Sequence, residues 1–382
     1  MIREGVLVAL MAGGAFGCCF LLAAAAVVRS TARRAPARNG AVPAVTILKP
    51  LYGDEPGLFE NLASFCEQDY GGSVQIVFGL ASPHDPAAAV AGRLRAAYPD
   101  AAIELVIDGR VAGSNPKVAN LINMAPRIAH EIIVLADSDI RVQPDYLSRV
   151  VTALERFGGV VTCPYYGIST GSIWSRLSLM MIDGHFLPSV MIGSRLKLSK
   201  PCLGSTIALT RRSLAAIGSF EAVADCLADD HEIGARAARR GEPVTLLPFA
   251  VGHVCDERSL AELWRHEVRW ALTIRSIDPL GYLGWILTHP LPLALIALAL
   301  GGGWPAAALV FAALGGRALL LLVVERGYGL PKHPIWLIPV RDLLSFAVFL
   351  AGFAARGVSW RGQRLRLMSQ GTLRSEKRSP SP

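Results

Sequence analysis

The chain has 382 residues, 52% of them hydrophobic and only 18% charged, and carries a net charge of +8. With a mean hydropathy of +0.41, this excludes intrinsic disorder and argues against an entirely soluble protein, since soluble domains average about 25% charged residues. No G-x-y or heptad period supports a collagen or coiled coil. The seven scattered cysteines (18, 19, 66, 163, 202, 226 and 255) include no CxxC, which excludes a disulfide scaffold and points to reduced thiols or thiols in lipid.

Gly5 to Val28 is apolar and carries no charge. At about 1.5 Å per residue it is long enough to cross a hydrocarbon core of about 30 Å. A cleaved signal peptide would have a shorter apolar run preceded by basic charge. Here the basic residues Arg29, Arg33, Arg34 and Arg38 follow the run. That pattern predicts an uncleaved anchor, residues 1–30, with the N-terminus outside and Arg29 onward in the cytoplasm. Basic residues beside apolar runs suit anionic lipid headgroups better than nucleic acid, which calls for basic residues interleaved with aromatics on one surface.

Residues 42–278 read as a globular region. Val45–Leu48, Val74–Leu80, Ile103–Ile107 and Ile132–Ala136 are short buried strands, and Leu58–Gln68, Ala87–Ala97 and Pro116–Ala129 are the helices between them. This alternation predicts an α/β domain around a mostly parallel sheet, with ligands bound beyond the C-terminal strand ends. Residues 282–355 are apolar again. Trp285–Leu300 and Trp304–Val324 are spans. Trp336–Phe353 contains Arg341 and Asp342, which are costly in lipid unless paired, and is expected to be interfacial or re-entrant. That arrangement keeps the basic tail, residues 356–382, in the cytoplasm.

Phosphate-loop, dinucleotide, hydrolase-elbow and zinc-protease signatures are absent. His253 and Cys255 are two ligands without a second pair and read as packed side chains. Glu131-Ile-Ile-Val-Leu-Ala-Asp137-Ser-Asp139 ends a buried strand in two carboxylates. Such a pair either caps the next turn or offers oxygen ligands to Mg²⁺ or Mn²⁺ on a substrate diphosphate. Asp229-Asp230-His231-Glu232 opens a helix running to Arg240. One aspartate is a cap or a general base. Trp264-Arg265-His266-Glu267-Val268-Arg269-Trp270 lies on a helix before the apolar segments. It is either an interfacial helix or one in which Arg269 clamps a phosphate and Trp270 packs a sugar or acceptor.

Taken in order, these pieces resemble the nucleotide-sugar glycosyltransferases of the GT-A fold, of the ceramide glucosyltransferase type. The resemblance rests on Val45–Pro50 with Gly53, Gly113-Ser-Asn-Pro-Lys117, Asp137-Ser-Asp139-Ile-Arg141, Cys202-Leu-Gly204-Ser205, Asp229-Asp230 and Arg269-Trp270. It implies N- and C-terminal transmembrane helices around a cytoplasmic catalytic domain. It also implies inverting transfer, with Asp137 and Asp139 on the metal, Asp230 or its neighbour Asp229 as base, and Lys117 and Arg269 at the phosphates. His185 falls where the family often has a functional histidine, and Trp264, Trp270 and His266 lie toward the acceptor. There are two departures. Ser82 stands where the family usually has its first aspartate, leaving Asp85 as the nearby carboxylate for the nucleoside, and His266 replaces Gln or Arg in (Q/R)xxRW.

Within the family the features look most like the bacterial hopanoid branch. That likeness implies transfer of N-acetylglucosamine from UDP-GlcNAc to bacteriohopanetetrol at the inner membrane. A ceramide or sterol glucosyltransferase using UDP-glucose is the alternative, and an inactive membrane scaffold is the second. A processive polysaccharide synthase would share the domain but calls for channel-forming spans and Q-x-x-R-W.

Overall fold

The computed structural model describes residues 1–31 and 42–355, and the backbone of 357–360, 363–367 and 373–375. Arg33, Arg34, Arg38 and the side chains of the basic tail lie outside the described residues. The chain forms two compact units. One comprises Arg34–Ile168, Lys197–Asp256 and Ser359–Pro382; the other comprises Met1–Arg33, Ser169–Leu196 and Glu257–Val358.

The first unit is built on strands β1 (Val45–Pro50), β2 (Val74–Leu80), β3 (Ala102–Ile107), β4 (Ile132–Leu135), β5 (Ile140–Arg141), β6 (Val160–Thr162), β7 (Tyr165–Ser169), β8 (Ile207–Thr210), β9 (Val244–Leu246) and β10 (Val251–Cys255). Seven of them form one sheet in the order β3-β2-β1-β4-β8-β6-β9. β1, β2, β3 and β4 run parallel, while β8 is antiparallel to both β4 and β6. A second sheet has the order β5-β10-β7. Three short strands at 357–360, 363–367 and 373–375 form a third.

The period-2 alternation of strand side chains divides the core between the two faces of the main sheet. Val45, Ile47, Ile76, Phe78, Ile132 and Val134 face one way, against Leu62, Ala91, Leu94 and Val150 of helices Leu58–Cys66, Pro86–Ala97 and Tyr146–Phe157. Leu48, Val77, Ile133, Leu135 and Ile207 face the other way, against Val118 and Leu121 of Pro116–Met124 and Ile233 of Asp229–Arg239. A strand covered on both sides reads as a continuous apolar run, which is why these strands are legible in the sequence to within two residues.

Strand direction places the chemistry. β4 ends where antiparallel β8 begins, with Leu135 opposite Ile207. The turn before β8 therefore meets the residues after β4. In the second sheet, His253 lies opposite Ile140, which sets it beside Asp139.

The second unit is helical. Four helical stretches among the described residues are long and apolar enough to cross a membrane: Ile2–Thr31, Ile173–Arg195, Gly303–Tyr328 and Ile335–Ala354. Two differ from the sequence reading. The segment expected to be interfacial or re-entrant, Trp336–Phe353, lies in a continuous helical stretch, which removes the re-entrant reading and leaves the interfacial one. The break falls instead between Pro279–Thr288 and Pro290–Ala299, which are bent by 63°, at Pro290, whose ring cannot continue a helix from the preceding turn. Ile173–Arg195 is the second difference. It lies inside the region read as globular because Ser175, Ser178, Asp183 and His185 dilute its apolar character. It runs as a helix, then a π-turn at Ile182–Phe186, then a helix again.

Candidate active site

The residues after β4 form the centre of the site. Asp137 and Asp139 cap no helix: the next helix begins at Tyr146, with Asp145 in the cap position. Lys117 instead joins two motifs that are far apart in sequence. Its Nζ lies 2.7 Å from Asp137 Oδ1 and 3.0 Å from Asp229 Oδ2.

The Gly113-Ser-Asn-Pro-Lys117 segment explains how Lys117 is aimed. Asn115 is the N-cap of Pro116–Met124, and its Oδ1 accepts from Lys117 N and Val118 N. Pro116 takes the first helical position, where its missing N–H costs nothing. Asn115 Nδ2 donates to Cys226 O at 2.8 Å and to Asp229 Oδ1 at 3.4 Å. Gly113 has φ +74°, and a Cβ there would collide with Ala224, so the segment approaches as backbone.

The turn before β8 completes the cluster. Asp137 N donates to Gly204 O at 3.1 Å, and Gly204 N donates to Asp230 Oδ2 at 2.9 Å. A Cβ on Gly204 would run into the Asp137 carboxylate. Asp230 also accepts from His231 N at 2.7 Å. The helix Asp229–Arg239 has Ala228 as its cap, without a side-chain bond, so neither aspartate serves as the N-cap. Asp229 is buried and faces Lys117 and Asn115, whereas Asp230 is half-buried.

Crowded charge sets the protonation of the site. Lost hydration and the neighbouring Asp139 and Asp229 raise the Asp137 carboxyl above its ordinary value, against the pull of Lys117. Lost hydration and Asp229 raise Asp230 to about 6. Burial works against the Lys117 ammonium, but Asp137, Asp229 and Asp230 outweigh it and hold the group charged.

Three contributors were missed as site residues in the sequence. Lys49, at the end of β1, is fully buried and donates to Asp137 O from above the Phe65 ring. Burial lowers it to about 7, opposed by Asp139, Asp137 and Glu55. Asn115 could have been found as a cap signal before Pro116. His253, read as a packed side chain, has Nδ1 3.5 Å from Asp139 Oδ2 and its ring 5.3 Å from that of Tyr165. Nothing in its local sequence reveals this, because a strand pairing creates it.

Asp85 lies in the same unit, away from this cluster in its bonding. Its Oδ1 accepts from Gly53 N at 2.8 Å and from Ala87 N at 3.0 Å, capping Pro86–Ala97. Ser82 Oγ accepts from His84 N.

The remaining predicted residues belong to the helical unit. His185 sits on the π-turn with Nε2 3.1 Å from Asp342 Oδ1 and Nδ1 3.4 Å from Arg317 Nη2. Trp264, His266, Arg269 and Trp270 share the helix Leu260–Ile277. His266 Nδ1 is 2.6 Å from Glu257 Oε1, and its ring lies 4.4 Å from that of Trp270. Trp264 packs beside Ala271, Tyr282 and Phe349.

No group of three or more His, Cys, Asp or Glu among the described residues is disposed to hold a metal ion by itself. The donors nevertheless fit a hard divalent cation. Asp137 and Asp139 present carboxylate oxygens on side chains that are 35% and 36% exposed, and a substrate diphosphate supplies further oxygens.

The parallel sheet, the carboxylate pair after β4 and the acidic helix start after β8 define a GT-A-type glycosyltransferase fold. The chain belongs to glycosyl transferase family 21, whose profile it matches over residues 9–373. Curated relatives include ceramide glucosyltransferase 1 of Caenorhabditis elegans, 26% identical over 52% of this chain and 43% of its own length. Another is the ceramide glucosyltransferase of Komagataella phaffii, 34% identical over 30% of this chain and 23% of its own. The chain thus matches less than half the length of these relatives. Among solved structures, a mannosyltransferase from Pyrobaculum calidifontis, in complex with GDP-Man and Mn²⁺, shares the fold with a TM-score of 0.57. It is 22% identical, over 92% of this chain and 99% of its own.

Proposed function

We propose that the protein is a membrane-embedded, inverting glycosyltransferase that moves a sugar from a UDP-sugar to a lipid hydroxyl. The observation that carries this is the Lys117 bridge, which gathers Asp137 and Asp229 beside the less enclosed Asp230. Asp230 takes the proton of the acceptor hydroxyl as that oxygen attacks the anomeric carbon. The bond from that carbon to the diphosphate breaks on the opposite face, and UDP leaves with the electron pair. Asp229, held by Lys117 and Asn115, fixes the helix start that carries the base. Lys117 balances negative charge at the phosphates, Arg269 clamps the diphosphate and Trp270 packs the sugar. Asp85 stands on the nucleoside side. His266 and Trp264 serve the acceptor, while His185, enclosed between Asp342 and Arg317, holds the helices in place rather than touching it. Asp137 and Asp139 would hold a Mg²⁺ or Mn²⁺, which would supply Lewis-acid stabilisation of the leaving diphosphate.

The names of the curated relatives favour UDP-glucose and ceramide as the donor and acceptor. UDP-GlcNAc and bacteriohopanetetrol, at a bacterial inner membrane with the catalytic unit in the cytoplasm, are the competing pair. Retention of both carboxylate motifs speaks against an inactive scaffold.

Mass spectrometry of lipids made by the purified protein tests this, with each donor offered against ceramide and a hopanoid polyol. We expect one pair to yield a monoglycosylated lipid, and Asp139→Ala to yield none. Absence of any UDP release from every pair, by a folded protein supplied with Mn²⁺, would overturn the reading.

A further inference from the structure

Helix Leu260–Ile277 carries Arg269 and Trp270 but is held by residues of another segment. Arg341 is a buried arginine in the helix Ile338–Ala354. Its Nη1 and Nη2 donate to Glu267 Oε1 and Oε2 at 2.6 and 2.7 Å. Nη1 also donates to Leu177 O, and Nε to Ser345 Oγ, each at 3.1 Å. Glu267 is itself buried, two residues before Arg269 and three before Trp270.

A second pin lies further along the same helix pair. Arg275 donates to Phe353 O at 2.6 Å and Ala355 O at 2.8 Å. Contacts at 267/341 and 275/353 mean that the two helices run side by side in the same direction. The planar guanidinium fork fixes Glu267 in angle as well as distance, which a lysine ammonium cannot do. One residue of slip turns a helix by about 100°, so fixing Glu267 fixes the direction in which Arg269 points.

We infer that Arg341 is a positioning residue for glycosyl transfer: through its fork on Glu267 it sets the rotation of the helix that presents Arg269 and Trp270. The inference rests on the role proposed above for that helix. It also explains why a segment that looks like a membrane span holds an arginine.

The test compares wild type, R341K and the apolar pair R341M/E267L in detergent, by steady-state kinetics, thermal midpoint and hydrogen exchange of residues 260–277. R341K keeps the charge and loses the fork. We expect its kcat to fall tenfold or more and its donor KM to rise, its thermal midpoint to hold, and exchange in 260–277 to quicken. The apolar pair leaves no unpaired charge and covers the case in which R341K does not fold. It should fold and show the same loss of kcat and faster exchange. A folded R341K or apolar pair with wild-type kcat and exchange would overturn the inference. If wild type itself transfers no sugar, the proposed function falls. Exchange in 260–277 then decides the positioning role alone, and unchanged protection in the folded variants sinks it.

Discussion

At the end of β4 four carboxylates, Asp137, Asp139, Asp229 and Asp230, stand with two lysines, of which Lys117 is held charged and Lys49 is lowered to about 7, and Asp137 and Asp139 remain about one-third exposed. In the helical unit Arg341 faces Glu267 and Arg317 faces Asp342, on side chains no more than 3% exposed. Lost hydration, and after it the crowding of like charges, raises the affinity of Asp137 and Asp230 for protons, because both disfavour ionisation. A cation or a proton taken from a substrate relieves that strain. The matched pairs satisfy one another and leave no requirement for a ligand. The first arrangement suits chemistry, and the second suits holding helices in place where polar groups are otherwise costly.

The comparison breaks hardest if a matched pair is opened. Asp342→Ala leaves Arg317 and His185 without their shared carboxylate. Removing one partner of a buried pair typically costs about 3–5 kcal/mol. Denaturant unfolding in detergent should show a loss of that order. A loss under 1 kcal/mol would mean that the helical network is not structural.

Opening the acid cluster should have the reverse effect. Asp230→Asn keeps the shape and a bond acceptor for Gly204 N but cannot take a proton. Stability and donor binding should change little, while kcat falls roughly 10²–10⁴-fold, the usual contribution of a general base. With Asp230 raised to about 6, its base form prevails above that pH, so wild-type kcat should decline as pH falls below about 6. The residual rate of Asp230→Asn should lack that limb. Near-wild-type turnover in Asp230→Asn would move the base role to Asp229.

How far each region was legible in the sequence follows the same division. The parallel strands were visible because apolar runs covered on both faces cannot be disguised. Asp137 and Asp139 stand out at the end of such a run and Asp229 and Asp230 at a helix start, but capping is an equal reading of each pair until the structure shows that neither serves as an N-cap. Lys117 was visible as part of a motif, but its bridge between two aspartates 92 residues apart was not. Lys49 and His253 were hidden because each looks like an ordinary strand residue until β1 and β10 are paired with their neighbours. The helical unit was harder. Ile173–Arg195 hides its character because its polar residues are satisfied by partners far along the chain, as Asp183 is by His333 and His185 by Asp342. Arg341 and Asp342 suggested an interrupted span only because their partners, Glu267 and Arg317, cannot be read from sequence distance.

Asp85 tests the smallest effect, and it lies on the dividing line between the two kinds of charge. One of its oxygens accepts from both Gly53 N and Ala87 N, which ties the loop after β1 to the start of Pro86–Ala97. That is a structural use of a carboxylate, yet its place near the family's usual first aspartate suggests a nucleoside contact. Asp85→Ala removes both bonds and should cost about 1 kcal/mol, the usual value of a lost cap. Asp85→Asn retains an oxygen acceptor in the same place and should stay close to wild type, since Asn is as good a cap. The two substitutions therefore separate fold from binding. If donor KM is unchanged in Asp85→Asn, the residue belongs with the matched, structural charges and Ser82 has left the nucleoside without a carboxylate partner there. If KM rises while the thermal midpoint holds, the second oxygen of Asp85 reaches the donor, and the open acid region extends from β4 to the end of β2.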